Sequence, residues 1–101
     1  MAVAMLVEVP GMSQEQYEAA KAEITKDGEP VGGAFLHAAG PTDDGGCRVM
    51  EIWASQEKAD AFYSSPRFLE VAGRWSQRPK ITTWPLYALD GSGLKQPGLP
   101  T

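Results

Sequence analysis

Blocks of apolar and polar residues along this chain predict strands and helices in the order β-α-β-β-α-β. Residues Ala2 to Val9 are apolar on both alternate sets of positions, which is typical of a strand covered on both faces. Two apolar runs, 31–40 and 47–54, flank a Pro/Asp/Gly cluster, and this pattern predicts a β-hairpin. A last strand is predicted over Ile81 to Leu89, where Pro85 removes a ladder donor and so favours a sheet edge.

Two helical segments fill the intervals between these strands. The first begins with a capping box, in which Ser13 and Gln16 each bind an unpaired amide of the first turn. Its apolar stripe consists of Tyr17, Ala20 and Ile24. Residues Lys26-Asp27-Gly28 supply a cation and a glycine of the kind that ends helices.

The second helical segment is predicted in two parts. Ser55 caps the first part, and Ser65 caps the second, with Pro66 in the first turn where its missing N–H costs nothing. The predicted buried positions are Ala59, Phe62 and Tyr63, followed by Phe68, Leu69, Ala72 and Trp75.

This element order predicts an α+β fold of ferredoxin-like topology. With right-handed crossovers, the four strands form one antiparallel sheet in which the first and third are central and the second and fourth are edges. Helices cover only one face of such a sheet, and the other face is also apolar, so a homodimer is expected to cover it. The predicted domain spans residues 1–89, and the Gly- and Pro-rich residues 90–101 are expected to be a flexible tail.

Composition narrows the classes of partner and cofactor. A net charge of −4 without basic runs argues against nucleic-acid binding. The first residues carry no cation before Lys21 and stop being apolar at Glu8, which predicts neither a signal peptide nor a membrane span. A single cysteine forbids an internal disulfide and suits the cytoplasm. One His and one Cys do not make a usual zinc site, and no cofactor is expected.

The predicted hairpin register sorts its side chains onto two faces. If Ala39 opposes Cys47, then His37 opposes Val49 and Phe35 opposes Glu51. One face then carries Phe35, His37, Val49, Glu51 and Trp53. The other carries Leu36, Ala38, Met50 and Ile52, a set that suits a dry contact between two sheets. The mixed face suits a pocket beneath the helices.

His37 and Glu51 are the candidate catalytic residues. The ordinary pKa of histidine, about 6.5, lets His37 exchange a proton near neutral pH, although an edge-strand histidine can also be a structural hydrogen-bonding residue. Glu51 either orients His37 or pairs with a cation, for which the candidates are Arg48, Arg74 and Lys80. The candidate substrate-binding residues are Tyr17, Phe35, Trp53, Phe62, Tyr63 and Trp75, each of which can equally be part of the core.

The segment from Glu51 to Glu57, followed by Phe62 and by Ser65-Pro66-Arg67-Phe68, resembles the dimeric α/β-barrel proteins of the antibiotic-biosynthesis-monooxygenase type. Residues 9–13 and 37–41 look like the small actinobacterial members. The resemblance covers residues 1–89. It implies a homodimer whose two sheets pack face to face, with a pocket in each subunit between sheet and helices.

Members of that superfamily include cofactor-free quinol and anthrone oxygenases, polyketide cyclases, haem-degrading enzymes and proteins with no known reaction. Phe62 stands where many oxygenase-like members carry a histidine, and the chain contains no Asn, on which the haem-degrading branch relies. Haem degradation is therefore not expected.

The resulting hypothesis is a cofactor-independent enzyme of polyketide-like metabolism, a cyclase or a monooxygenase. In it, His37 removes an acidic proton from a phenol or β-diketone. The alternatives are a non-catalytic ligand-binding or stress-associated barrel, and a purely structural dimer whose pocket is filled by Phe35, Phe62 and Trp75.

Overall fold

A four-stranded antiparallel sheet organises the computed structural model, which describes residues 1–25 and 33–90. The strands are β1 (Val3–Val9), β2 (Leu36–Pro41), β3 (Cys47–Trp53) and β4 (Lys80–Pro85), and the helices are α1 (Gln14–Ile24), α2 (Gln56–Tyr63) and α3 (Pro66–Ala72). The strand order β2-β3-β1-β4 places β1 and β3 in the centre. The ferredoxin-like α+β fold is therefore confirmed, with β4 at an edge as Pro85 predicts.

The helix starts follow the predicted capping residues. At α1, the Gln16 amide donates to Ser13 Oγ over 3.1 Å, and the Ser13 amide donates to Gln16 Oε1 over 2.9 Å. At α2 and α3 only the serine side chain takes part: Ser55 Oγ accepts from the Lys58 amide over 3.2 Å, and Ser65 Oγ accepts from the Phe68 amide over 3.3 Å. The predicted helix end at 26–28 and the predicted tail beyond residue 90 lie outside the described residues.

The predicted buried stripe of α3 is wrong at one position. Phe68 and Val71 are buried, whereas Leu69 is 56% exposed. Successive residues of a helix are about 100° apart around its axis, so the face that buries Phe68 also buries Val71 and turns Leu69 to solvent. Trp75 lies beyond the end of α3, where its ring packs edge-on against Phe68 at 6.0 Å between centroids.

The hairpin register differs from the prediction by two residues. Ala39 opposes Val49 and Pro41 opposes Cys47, so that His37 lies opposite Glu51 instead of Val49. The two strands extend closer to the turn than predicted, because the turn is the short loop Asp43-Asp44-Gly45. Gly45 has φ 88°, a conformation that glycine adopts more easily than other residues. An even shift keeps every side chain on its predicted face.

Helices α1, α2 and α3 lie on the sheet face that carries the buried cluster. The cluster consists of Val3, Met5, Val7, Val9, Met12, Cys47, Val49, Trp53 and Ala59. The opposite face holds the predicted apolar set, and on it Met50 is 51% exposed and Trp84 is 42% exposed. Within residues 1–25 and 33–90, no helix has both the length and the apolar character that a membrane crossing requires.

Candidate functional site

Glu51 is a buried carboxylate at the middle of β3. Its side chain points to the helix-covered face, and the residue is 0% exposed. Oε1 accepts hydrogen bonds from Tyr63 Oη at 2.5 Å and from Trp53 Nε1 at 3.1 Å. Oε2 lies 2.7 Å from His37 Nδ1. The carboxylate therefore has three partners on three elements, which offset the cost of burying it.

His37 connects this carboxylate to helix α1. The residue lies on edge strand β2 directly opposite Glu51, and its side chain is 18% exposed. Its second ring nitrogen, Nε2, is 2.6 Å from Tyr17 Oη. A neutral imidazole has one donor and one acceptor nitrogen. With Glu51 ionised, Nδ1–H donates to the carboxylate and the Tyr17 hydroxyl donates to Nε2.

The resulting chain of hydrogen bonds runs from Tyr17 through His37 and Glu51 to Tyr63. We call it the Tyr17–Tyr63 network. It joins α1, β2, β3 and α2, and within the described part of the chain no buried side-chain nitrogen or oxygen lacks a hydrogen-bond partner. Such a network holds each side chain in one orientation, because every member is fixed by the next.

Glu51 does not form the predicted ion pair with a cation. Arg74 instead binds Glu23 on α1, with two nitrogen–oxygen distances of 3.0 and 2.8 Å. Arg48 lies on the other face of the sheet, because strand side chains alternate and it is three residues from Glu51. Of the predicted roles for Glu51, the geometry matches the one of orienting His37.

The two tyrosines of the network are held in the protonated form. Burial, followed by the negative charge of Glu51, raises the pKa of Tyr63. The pKa of Tyr17 is also raised, first by burial and then by the nearby groups Cys47, Glu51 and Glu18. Each of these surroundings disfavours a phenolate. Both phenols are therefore proton donors at neutral pH.

A small cavity lies between the sheet and the helices, beside the network. Its volume is about 60 Å³, room for one or two water molecules by the usual share of about 30 Å³ each. Pockets for organic ligands span about 300–1,000 Å³. The side chains of Phe62, Phe68 and Trp75 occupy the space that a larger pocket beneath the helices would need.

A larger groove opens next to this cavity. It runs between the start of α1 and the far end of the β2–β3 hairpin, and its volume is about 400 Å³. We call it the α1–hairpin groove. Three residues line both the groove and the cavity, namely Met12, Tyr17 and Cys47. Of these three, Tyr17 belongs to the Tyr17–Tyr63 network.

Of the eight residues predicted for the site, five are members or direct partners of this network: Tyr17, His37, Glu51, Trp53 and Tyr63. Phe62 and Trp75 line the cavity. Phe35 lies just before β2, half-buried, and borders neither the cavity nor the groove. Its amide donates to the Ile52 carbonyl over 2.8 Å.

Sequence reasoning did not find the α1–hairpin groove. The groove forms where α1 begins and the hairpin ends, and these segments are distant along the chain. One feature of the sequence could have indicated the groove. Side chains alternate along β2, so Ala39 lies on the same face as His37 and nearer the turn. Among the described residues, no group of three or more His, Cys, Asp or Glu side chains is placed to hold a metal ion.

Neither a protein-family model nor a curated protein matches this sequence. Solved structures do resemble it. Rv0793 from Mycobacterium tuberculosis has a TM-score of 0.62 and 17% identity over 91% of this chain and 99% of its own. An antibiotic biosynthesis monooxygenase-like protein from Chloroflexus aurantiacus has a TM-score of 0.62 and 14% identity, covering 90% and 98%.

SnoaB from Streptomyces nogalater, described as a cofactor-independent oxygenase, has a TM-score of 0.63 and 14% identity over 87% of this chain and 95% of its own. The predicted resemblance to antibiotic biosynthesis monooxygenase-like proteins is therefore confirmed at the level of the fold. A shared fold does not by itself assign a shared reaction.

Proposed function

We propose that this protein is a cofactor-independent enzyme of small-molecule, polyketide-like metabolism that removes an acidic proton from a phenol or β-diketone. The observation that carries the proposal is the hydrogen-bonded series Tyr17–His37–Glu51, with His37 Nδ1 2.7 Å from a fully buried carboxylate. His37 is the general base, and Glu51 is the residue that positions it.

The arrangement has the parts that a proton-abstracting site needs. A carboxylate bonded to Nδ1 fixes the tautomer in which Nε2 carries the free electron pair, as in the Ser-His-Asp triad. When Nε2 takes up a proton, the resulting imidazolium faces the negative charge of Glu51 and is stabilised by it. Trp53 and Tyr63 prevent Glu51 from turning away, because both donate to its other oxygen.

The chemistry that follows needs only the substrate and, in one version, dioxygen. The substrate C–H or O–H bond breaks, its proton goes to His37, and the electron pair remains on the substrate as an enolate or phenolate. In a cyclase, that carbanion attacks a carbonyl group of the same molecule. In an oxygenase, the anion is oxidised by O₂; for anthrone, the balanced products are anthraquinone and water.

The fold comparison supports this proposal. SnoaB is a cofactor-independent oxygenase, so this architecture can host such a reaction without a bound metal or flavin. The oxygenase and cyclase versions share the same first step.

We further propose that the active protein is a homodimer. The uncovered sheet face presents Met50 and Trp84, and it continues through Leu36, Ala38 and Ile52. An apolar face of this kind, left open by the helices, is stabilised when a second sheet covers it. The predicted compartment remains the cytoplasm, where the one cysteine would stay reduced.

Ligand binding without catalysis is the second candidate. It is favoured by one observation: both ring nitrogens of His37 already have partners. In that case the network is a structural device, and the α1–hairpin groove merely holds an apolar molecule. This candidate predicts saturable binding with no turnover.

Anthrone is a suitable probe, since its methylene protons are acidic and its oxidised product is easily detected. The protein is incubated with anthrone in D₂O under argon and under air, and deuterium uptake and anthraquinone are followed. His37→Ala should lower the rate of proton abstraction by roughly 10²–10⁴, the usual contribution of positioned proton transfer. Glu57→Gln, at an exposed residue of α2, is the control for general damage.

The two candidates predict different results. A wild-type protein that exchanges the methylene protons, and a folded His37→Ala variant that does not, support the enzyme. Exchange that proceeds under argon without anthraquinone under air supports the cyclase version. Saturable anthrone binding with no exchange above background, unchanged by His37→Ala, supports the binding protein and overturns the enzyme proposal.

A further inference from the structure

We infer that the substrate lies in the α1–hairpin groove and that Tyr17 is the catalytic residue that receives its proton, passing its own hydroxyl proton to His37. This inference rests on the proposed function. It assigns the binding site to a groove outside the space beneath the helices, and it makes Tyr17, predicted from the sequence to be a substrate-binding or core residue, the acceptor of the substrate proton.

Size separates the cavity from the α1–hairpin groove as a location for a substrate; another groove of about 350 Å³, beside Arg74, is lined by neither Tyr17 nor His37. The cavity that contacts His37 has a volume of about 60 Å³, whereas ligand-binding pockets usually span about 300–1,000 Å³. The α1–hairpin groove, at about 400 Å³, lies within that range. An aromatic ketone therefore has room in the groove and has none in the cavity.

Among the described residues, Tyr17 is the one that both lines the groove and contacts the base. Its hydroxyl is 2.6 Å from His37 Nε2. His37 itself lines the cavity and not the groove. Its other nitrogen, Nδ1, is occupied by Glu51 at 2.7 Å. A proton leaving a molecule in the groove therefore reaches His37 through the Tyr17 hydroxyl.

The proton balance of this relay is simple. The substrate bond to hydrogen breaks and its proton binds Tyr17 Oη, while the original Tyr17 hydroxyl proton moves to His37 Nε2. Tyr17 is neutral before and after the step. The products are a substrate anion and an imidazolium that donates to the Glu51 carboxylate. The raised pKa of Tyr17 agrees with this order, because its surroundings disfavour a lasting phenolate.

The groove also indicates the class of substrate. Its walls combine apolar and small residues with two polar side chains near the start of α1: the apolar and small set is Met12, Ala39, Gly40, Pro41, Gly45, Gly46 and Cys47, and the polar pair is Ser13 and Gln14. Glu18, also in the lining, repels a substrate carboxylate. The expected substrate is a neutral, flat phenol or enolisable aromatic ketone with hydrogen-bonding groups at one end.

Tyr17→Phe tests the relay because it removes one hydroxyl and keeps the ring. Deuterium uptake by anthrone under argon is measured for the wild type, Tyr17→Phe, His37→Ala and the double variant, with thermal melting to confirm folding. Tyr17→Phe should lower the exchange rate by roughly 10²–10⁴, as His37→Ala does. The double variant should be no slower than the slower single variant, because the two residues act in one step. Saturable anthrone binding should persist in Tyr17→Phe.

The failures of the two proposals are distinguishable. If Tyr17→Phe keeps the wild-type exchange rate while His37→Ala loses it, the relay is overturned and the proposed function stands. If the wild type binds anthrone without exchanging its protons, the proposed function fails and the relay fails with it. Additive losses in the double variant also overturn a shared step.

Ala39→Leu tests the groove without touching the network. Ala39 opposes buried Val49 and lines the groove, so a larger side chain there reduces the space. Ala22→Leu, at an exposed position of α1 outside the groove, is the matched control. Ala39→Leu should weaken anthrone binding at least tenfold, and Ala22→Leu should leave it unchanged. Equal binding by both variants overturns the groove assignment, whatever the exchange measurements give.

Discussion

Replacing Glu51 by glutamine is the sharpest test of how this site is held together. The side chains are nearly the same size, but one acceptor oxygen becomes an NH₂ donor. Glu51 Oε1 already accepts from Tyr63 Oη and Trp53 Nε1, and the indole nitrogen is a donor only. The amide oxygen of glutamine must therefore take the Oε1 position. Its NH₂ group then faces His37 Nδ1.

This reversal changes the tautomer of His37. Nδ1 becomes the acceptor and Nε2 carries the proton, so Nε2 no longer accepts from Tyr17 and no longer acts as a base. Loss of the productive tautomer in a Ser-His-Asp enzyme costs about 10⁴ in turnover. We expect a fall of similar size in proton abstraction for Glu51→Gln.

The expected loss of stability is smaller. Hydrogen bonds to charged groups contribute about 1.5–3 kcal/mol, against about 0.5–1.5 kcal/mol for neutral pairs. Three bonds lose their charge assistance, but the cost of burying a charge is also removed. A net loss of about 1–3 kcal/mol results, and each kcal/mol corresponds to roughly 4–8 °C in the melting midpoint of a domain this size. Glu51→Ala would leave three donors without an acceptor and is the poorer choice.

The chain contains one histidine, so a nitrogen NMR spectrum of the imidazole needs no assignment by mutation. The wild type should show a protonated Nδ1 and an accepting Nε2, and Glu51→Gln should show the reverse. Exchange of anthrone protons and denaturant unfolding complete the set, with Glu57→Gln as the control. A folded Glu51→Gln protein with the wild-type tautomer and wild-type exchange rate would refute the role of Glu51 in positioning His37.

Three further predictions concern stability and assembly. Because Tyr63 has a pKa raised above its unfolded value near 10, the folded protein keeps a proton that the unfolded chain releases. Its contribution is complete below pH 10 and is lost above it, with a slope of up to about 1.4 kcal/mol per pH unit. Unfolding measured from pH 8 to 11 should show this slope diminished in Tyr63→Phe, and an unchanged slope contradicts the reasoning. Met50→Lys should place a charge in the proposed dimer contact and give monomer or aggregate in sedimentation, while an unaltered wild-type monomer at micromolar concentration contradicts the dimer. Gly46→Ala should lower the melting midpoint by several degrees, since a Cβ there would meet the Val9 carbonyl at 2.8 Å. Gly40→Ala, which meets nothing within 4 Å, should have little effect, and equal melting of the two variants contradicts the packing argument.

Local sequence determined the elements of this fold and the faces of its strands. Capping residues are read within one helical turn, so Ser13, Ser55 and Ser65 identified the helix starts. Side chains alternate between the two faces of a strand with a period of two. The prediction that His37 and Glu51 share a face was therefore correct although the predicted register was wrong by two residues. The hydrophobic pattern was less reliable in α3, where a helix of seven residues has too few turns to separate Leu69 from Val71.

Tertiary structure decided which groups touch. No pattern in the sequence pairs Tyr17 with His37 or Tyr63 with Glu51, because the paired residues lie on different elements and are 20 and 12 positions apart. The register predicted from the sequence places His37 opposite Val49. In the structure the shorter hairpin loop places His37 opposite Glu51. The size of the cavity depends on how Phe62, Phe68 and Trp75 pack together. Packing of this kind is a property of side chains brought together in three dimensions, and no local stretch of sequence contains it.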